Sequence, residues 1–67
     1  MKVSYKPLWK LLIDREIKQK TLRESAKISS STFHKLRNNE NVTIDILIRI
    51  CTELHCNFSD IVECVEE

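Results

Sequence analysis

Two short amphipathic segments joined by a tight break constrain the fold of this 67-residue chain more than any other feature. Both segments lie within residues 19–38. In the first, Leu22 and Ala26 stand four positions apart, and in the second, Phe33 and Leu36 stand three positions apart. At these spacings side chains share one face of an α-helix. The pattern therefore predicts two helices whose apolar faces meet across a short turn.

The second segment has a start signal and a polar outer face. Ser29 immediately precedes it and is a good N-cap residue, because its hydroxyl can accept a hydrogen bond from a free backbone N–H. The outer face carries these hydrogen-bonding side chains: Ser30, Ser31, His34, Lys35 and Asn38. None of them is acidic, and those nearest the helix start are short. Such a helix suits insertion into the major groove of DNA.

The rest of the chain also reads as helical, with capping residues at suitable places. Pro7 fits the first turn of helix 1, because its missing N–H is not needed there. Thr43 is a good N-cap for helix 4, and Asn57, followed three residues later by an acid, begins a short helix 5. Helices 2 and 3 are expected at about 19–26 and about 30–38. The predicted fold class is therefore all-α, with five helices.

Apolar residues indicate a core and leave a few candidates for an interface. The positions expected to form the inner faces of helices 1 and 4 are Leu8, Leu11, Leu12, Ile17, Ile44, Leu47, Ile48, Cys51 and Leu54. Trp9, Ile46 and Ile50 lie partly off these stripes. Any of these three side chains that are exposed would suit an interface between two copies related by a two-fold axis. For Trp9 and Ile50 the favoured interpretation is instead that they belong to a broad core stripe.

Both ends of the chain can form short strands. Val3 and Tyr5 alternate with polar residues near the basic N-terminus, and Val62, Cys64 and Val65 lie among acids near the C-terminus. The basic end can pair with the acidic end, although two short strands are barely stable unless they pack on helices.

The chain contains no glycine. Helices commonly end on a residue with positive φ, where glycine is least strained. Lys27, Asn39 and His55 fall where such residues are expected. Asparagine and histidine tolerate this geometry better than most residues, whereas for Lys27 it costs about 1 kcal/mol.

Charge is divided unevenly between the two halves of the sequence. Residues 1–37 hold ten Lys and Arg against three acids, giving +7, whereas residues 38–67 hold one arginine against seven acids, giving −6. A chain polarised in this way can present one cationic face to nucleic acid. A solvated basic surface, or pairing between the halves, explains the charge pattern equally well.

Size and composition exclude several classes of protein. Residues 1–67 form one small domain, whose limited core would gain from oligomerisation. No apolar run approaches the roughly 20 residues of a membrane span, and no signal peptide is recognisable. We therefore expect a cytoplasmic protein without a membrane partner.

The reactive side chains indicate neither a metal site nor an enzyme. Cys51, Cys56 and Cys64 are odd in number and are expected to be reduced and mostly buried. Cys51 and His55 stand four positions apart, but the cysteine and histidine spacing matches no common zinc pattern. No paired carboxylates, nucleophile motif or phosphate-binding loop is present. We expect no catalytic residue, no metal and no cofactor.

A longer pattern resembles a known family. The residues that carry the resemblance are, in order, Gln19, Leu22, Ala26, Ile28, Ser29, Thr32, Phe33, Leu36, Val42, Thr43, Leu47, Ile50, Leu54, Asp60 and Ile61. This order resembles the Cro/repressor-type helix-turn-helix regulators, the XRE family, and especially its compact single-domain bacterial and phage members. The resemblance covers about residues 7–63. It departs from the family at Lys27 and Asn39, where many members have glycine, and at Arg23, where a small residue is usual.

The resemblance implies a fold and a function. The fold is a lambda-repressor-like domain in which helices 2 and 3 form the helix-turn-helix and helix 3, at about 30–38, is the recognition helix. The function is sequence-specific binding to double-stranded DNA and transcriptional regulation, commonly as a homodimer on a palindromic operator. The alternative is a protein-interaction module, antitoxin-like or anti-repressor, whose main partner is another protein.

The resemblance also implies roles for individual residues. The predicted DNA-binding residues are Lys18, Gln19, Ser29, Ser30, Ser31, Thr32, His34, Lys35, Arg37, Asn38 and Asn41. Within this set, Gln19 matches a glutamine that touches phosphate and braces the recognition helix. Ser30, Ser31 and Lys35 match positions that face base edges. Asn38 and the connector around Asn41 match positions near the phosphate backbone.

The chemistry of these side chains differs. Lys35 can donate to guanine O6 or N7, or to a phosphate, and it is the best candidate for direct base readout. Ser30 and Ser31 discriminate weakly and chiefly permit close approach. Arg37, like Lys18 and Lys20, is most simply a phosphate neutraliser. His34 is either a DNA contact or a solvated side chain.

Overall fold

The computed structural model describes residues 1–67, every residue of the printed sequence. In chain order its elements are β1 (Lys2–Ser4), α1 (Lys6–Asp14), α2 (Gln19–Ser25), α3 (Ser30–Arg37), α4 (Ile44–Leu54), a 3₁₀ turn (Phe58–Asp60) and β2 (Glu63–Val65). The mostly helical prediction is confirmed, but the chain has four α-helices rather than five, together with a small sheet. None of the helices has the length and apolar character needed to cross a bilayer.

The predicted fifth helix is only a 3₁₀ turn. Its expected capping box is present, with the Asn57 N–H donating to Asp60 Oδ2 at 3.0 Å. The turn ends at Ile61, whose φ of −126° lies outside the helical region. Ile61 is fully buried, and β2 begins two residues later. The chain therefore has no room for another helical turn between this anchor and the strand.

The two terminal strands pair with each other, as predicted for a basic and an acidic chain end. They run antiparallel, with these partners: Lys2 and Val65, Val3 and Cys64, Ser4 and Glu63. Val3 is half-buried against the hydrophobic core. This packing supplies the support that an isolated two-stranded ribbon lacks.

One hydrophobic core joins the four helices to both ends of the chain. Its buried members are Tyr5, Leu8, Leu12, Leu22, Ala26, Ile28, Phe33, Leu36, Leu47, Ile50, Leu54 and Ile61. Trp9 and Ile46 are half-buried around it. Trp9 packs edge-on against Phe33, with ring centroids 5.7 Å apart. This aromatic contact fixes α1 against α3.

The α4 helix buries a narrower stripe than predicted. Leu47, Ile50 and Leu54 face the core at helical spacing. Ile44 and Ile48, expected in the core, are 59% and 50% exposed. The helix packs on the core along one side only, so the next row of isoleucines remains at the surface.

All three cysteines have free thiols. Cys51 and Cys56 are half-buried, whereas Cys64 is exposed. The prediction of mostly buried thiols is therefore wrong for Cys64. Its strand lies at the edge of a two-stranded sheet, where little of the chain covers it.

Four non-glycine residues have left-handed backbone conformations. Lys27, Asn39 and His55 have φ values of 55°, 56° and 51°, as predicted. Glu16, with φ 56°, was not predicted. It follows α1 at a sharp reversal in which the Ile17 N–H donates back to a carbonyl of α1 at 2.9 Å. The reversal brings Ile17 against the core.

Tyr5 fastens β1 to the connector between α3 and α4. Its N–H donates to Asn39 Oδ1 at 3.0 Å, and its hydroxyl donates to the Glu40 carbonyl oxygen at 2.7 Å. The side chain is almost fully buried. Burial raises the pKa of Tyr5 above its ordinary value of 10.0, while a backbone hydrogen bond with Val42 opposes the shift.

Replacing Tyr5 with phenylalanine tests this fastening. We expect Y5F to lower the free energy of unfolding by about 1 kcal/mol at neutral pH, because one hydrogen bond is lost. The raised pKa means that the folded state keeps the phenolic proton to a higher pH than the unfolded state. The tyrosine contribution is therefore complete below the unfolded pKa and is lost as pH rises through the folded one.

Urea unfolding from about pH 8 to about pH 11 measures this difference across the ordinary tyrosine pKa. The gap between the wild type and Y5F should narrow above about pH 10. Both proteins retain every other titrating group, so the difference isolates Tyr5. A gap that stays constant over this range would contradict the assignment.

Candidate nucleic-acid interface

The α2 and α3 helices form a helix-turn-helix around a turn at residues 26–29. Ala26 and Ile28 are buried and anchor the turn to the core. Between them, Lys27 takes the left-handed conformation and is exposed. The Arg49 side chain donates to the Lys27 carbonyl oxygen at 3.4 Å, so α4 also supports the turn. The predicted pair of helices and their break are confirmed.

Ser29 is the N-cap of α3, as predicted. Its Oγ accepts from the Thr32 backbone N–H at 3.2 Å and donates to Thr32 Oγ1 at 3.0 Å. Ser31 Oγ lies 3.2 Å from Ser29 Oγ. Ser29 and Thr32 are therefore mutually engaged in forming the cap. Ser30 and Ser31 are exposed and stand at the helix start.

His34 and Asn38 are exposed, but they contact each other. Asn38 Nδ2 lies 2.9 Å from His34 Nε2 and donates to the His34 carbonyl oxygen at 3.0 Å. Asn38 thus closes the end of α3 with its side chain. Any external ligand of these two residues would meet a preformed pair rather than two free groups.

Lys35 is the basic residue in the middle of α3. Its ammonium takes no part in the ion pair of the structure, which joins Asp45 to Arg49. It lines a surface pocket of about 460 Å³ with Thr32, Asn41 and Thr43. It also borders a second pocket, of about 510 Å³, with Asn41 and Lys2. The structure therefore brings the predicted residues Lys35 and Asn41 together. It adds Lys2, which the sequence did not indicate.

Lys2 reaches this position through tertiary structure alone. It lies in β1, far from Lys35 along the chain, and Tyr5 holds that strand on the connector after α3. No local pattern marks Lys2 as a site residue. The only sequence signal that bore on the place of Lys2 was the predicted pairing of the chain ends. That pairing did not show where the two-stranded sheet lies relative to α3.

Arg37 joins the end of α3 to the start of α2. Its Nε donates to Gln19 Oε1 at 3.2 Å, and its guanidinium carbon lies 5.1 Å from the centroid of the Phe33 ring. A cation over an aromatic face at this distance is attracted to it. Gln19 thus braces α3, which is one half of the role that the family resemblance implied for it, and its phosphate contact stays a prediction.

The groove between α2 and α3 is basic. A surface pocket of about 340 Å³ there is lined by Lys20, Arg23, Ser30, Phe33 and Arg37. Arg23 is half-buried and adds its charge to this groove. Lys18 is exposed immediately before α2.

The one ion pair joins Asp45 to Arg49 within α4, at 3.1 Å. The cations beside α3 therefore have no acidic partner.

The helix-turn-helix is matched by comparison with known proteins. A family profile for the Cro/C1-type HTH DNA-binding domain matches residues 7–67. The chain belongs to this family. It is also similar to the transcriptional regulator VanUg, whose crystal structure (Form II) gives a TM-score of 0.96 at 53% sequence identity. The match covers 98% of this chain and 88% of that one. No curated protein matches the chain.

Membership of the Cro/C1-type family confirms the resemblance seen in the sequence. It identifies α2 and α3 as the helix-turn-helix of a DNA-binding domain. No group of three or more His, Cys, Asp or Glu side chains is arranged to hold a metal ion. The DNA contacts of individual side chains remain predictions.

Two neighbouring serines test how α3 begins. We expect Ser29→Ala to lower the free energy of unfolding by about 1 kcal/mol, because the Thr32 N–H loses its acceptor. Ser30→Ala is the matched control, since Ser30 is exposed and accepts no cap hydrogen bond. It should change stability by less than about 0.5 kcal/mol. Equal losses in the two variants on urea unfolding would contradict the capping role of Ser29.

Proposed function

We propose that this protein binds double-stranded DNA sequence-specifically and thereby regulates transcription, with α3 in the major groove. The observation that carries the proposal is the outer face of α3, which is polar, lacks acids and presents the unpaired Lys35 ammonium. Membership of a DNA-binding family supports the proposal. The similarity to VanUg, a transcriptional regulator, supports the regulatory role.

The fold holds this face in a defined orientation. Phe33 and Leu36 are buried on the inner side of α3, and the Gln19–Arg37 hydrogen bond and the Trp9–Phe33 contact join α3 to α2 and α1. Base readout requires donors placed at fixed positions relative to the duplex. A helix held from two sides meets that requirement before DNA arrives.

The proposed contacts fall into two groups. Lys35 reads a base by donating to guanine O6 or N7, while Ser30 and Ser31 allow the helix start to approach the groove closely. The basic and amide side chains around α3 contact the phosphate backbone and set the register. This second group comprises Lys18, Gln19, Lys20, His34, Arg37, Asn38 and Asn41. Ser29 and Thr32 contribute by shaping the helix start.

Replacing Lys35 with alanine tests the base contact. Selection of bound sequences from a random duplex pool first supplies the operator. For that operator, fluorescence anisotropy should show about a 10-fold or greater loss of affinity for K35A, because a good base contact contributes about 1–3 kcal/mol of discrimination. The loss should disappear when the contacted base pair is already substituted.

Lys10→Ala is the matched control, because it also removes one exposed lysine but lies on α1 and lines none of the pockets beside α3. Its operator affinity should stay within about 2-fold of the wild type. If K35A instead weakens binding equally on every sequence and reduces the salt slope by about 0.9, Lys35 contacts a phosphate. If no sequence is selected over random DNA, the proposed function is wrong.

We further propose that the protein acts as a homodimer on a palindromic operator. Ile44 and Ile48 form an exposed apolar row on α4. Beside this row, Asp45 and Arg49 pair with each other at 3.1 Å. Across a two-fold axis the two copies can exchange these partners, Asp45 of one pairing with Arg49 of the other, so the surface is complementary to itself in charge. A second copy is therefore the occupant that this face favours.

Two exposed isoleucines test the dimer. Ile48→Gln should weaken binding to a palindromic duplex by about 10-fold, equivalent to about 1.4 kcal/mol, by removing apolar contact between copies. Ile13→Gln is the matched control, because Ile13 is 75% exposed but lies on α1. It should bind as the wild type does. Sedimentation of the protein–DNA complexes measures whether two chains bind each palindrome, and one chain per palindrome would contradict the dimer.

A further inference from the structure

The end of α4 brings two cysteines together. His55 takes the left-handed conformation, and beyond it the Cys56 N–H donates to the Cys51 carbonyl oxygen at 3.1 Å. This hydrogen bond is the one that defines the helix ending known as a Schellman motif, and a side-chain contact between the two linked residues frequently accompanies it. A glycine-free turn thus places the cysteines at 51 and 56 side by side.

The two cysteines line the same surface pocket. The pKa of Cys51 is raised from 9.0 to about 11, first by burial, then by the charge and hydrogen bond of Cys56, and last by the charge of Asp60. Cys51 therefore keeps its proton at neutral pH. It can act as the second thiol in a reaction that Cys56 begins.

Small molecules can reach this pair. An open surface pocket of about 420 Å³ is lined by Ile48, Cys51, Thr52, His55, Cys56 and Asn57. The third cysteine, Cys64, lies in β2 outside this pocket. The Cys51–Cys56 dithiol thus has access, proximity and a side chain arrangement that Cys64 does not share.

We propose that Cys51 and Cys56 form a dithiol site that exchanges with low-molecular-weight disulfides and closes to an intramolecular disulfide. The Cys56 thiolate attacks one sulfur of the small disulfide, forming a mixed disulfide and releasing one small thiolate. Cys51 loses its proton and attacks the Cys56 sulfur, which forms the Cys51–Cys56 bond and releases the second small thiolate. The two protein thiols are oxidised, and one small disulfide is reduced to two thiols.

The turn favours ring closure over a second mixed disulfide. A backbone hydrogen bond already links the same two residues at 3.1 Å, which limits the backbone movement needed to reach the Cα separation of about 4.4–6.8 Å found in disulfides. The second step is intramolecular, so the neighbouring thiol acts at a high effective concentration. This modification site lies apart from the proposed DNA contacts on α2, α3 and the connector, and it shares Ile48 with the proposed dimer face.

Equilibration with reduced and oxidised glutathione tests the proposal. The protein is used as the full chain carrying C64S, so that only the dithiol reacts, and the wild type is run beside it. After acid quenching and blocking of free thiols, intact mass identifies the product. Protease cleavage after Glu53 then cuts the backbone between Cys51 and Cys56. The two fragments stay joined only when a disulfide links these cysteines.

We expect C64S to lose the mass of two hydrogen atoms, with the fragments joined across the Glu53 cut. The equilibrium with glutathione gives the effective concentration of one protein thiol at the other. This value should be about 10-fold or more higher in native buffer than in denaturing urea, because the turn holds the two thiols together. C56S,C64S should form no internal disulfide. Two separate glutathione adducts on C64S, or equal effective concentrations in native buffer and in urea, would overturn the proposal.

Discussion

The burial of Phe33 is the interaction on which the arrangement of the helices around α3 depends. Its ring packs against Trp9 of α1, and the Arg37 guanidinium lies 5.1 Å from its centroid. Arg37 in turn donates to Gln19 at the start of α2. One buried aromatic residue therefore connects three helices. The polar face of α3 has a fixed direction because its apolar face has no freedom to rotate.

A second constraint is the absence of glycine from the turns. Four residues hold left-handed conformations that glycine would adopt with less strain. Surrounding contacts keep them there, since Arg49 donates to the Lys27 carbonyl and Asn39 accepts from the Tyr5 N–H. The turn at His55 also joins two cysteines by a backbone hydrogen bond at the edge of one pocket. Backbone conformation at a helix end thus decides which side chains meet.

Local signals predicted much of this structure. Ser29 and Thr43 cap α3 and α4, as their residue types predicted, because capping depends on groups within one turn of the chain. The fifth helix had an equally good capping signal at Asn57, yet only a 3₁₀ turn forms there. The competing burial of Ile61 is a tertiary effect. The pairing of the chain ends was predicted, but the pattern did not show that the strand begins only two residues after Ile61.

The sequence by itself determined the two-helix motif, its capping, its basic surroundings and the family, because periodicity and short-range hydrogen bonds act between neighbours in the chain. Only the tertiary structure decided which candidates stand together. It exposed Ile44 and Ile48 while burying Ile50, and it placed Lys2 beside Lys35. The tertiary structure also brought Arg37 into contact with Gln19 and Phe33. These outcomes depend on how the helices pack, and packing is set by contacts between residues far apart in sequence.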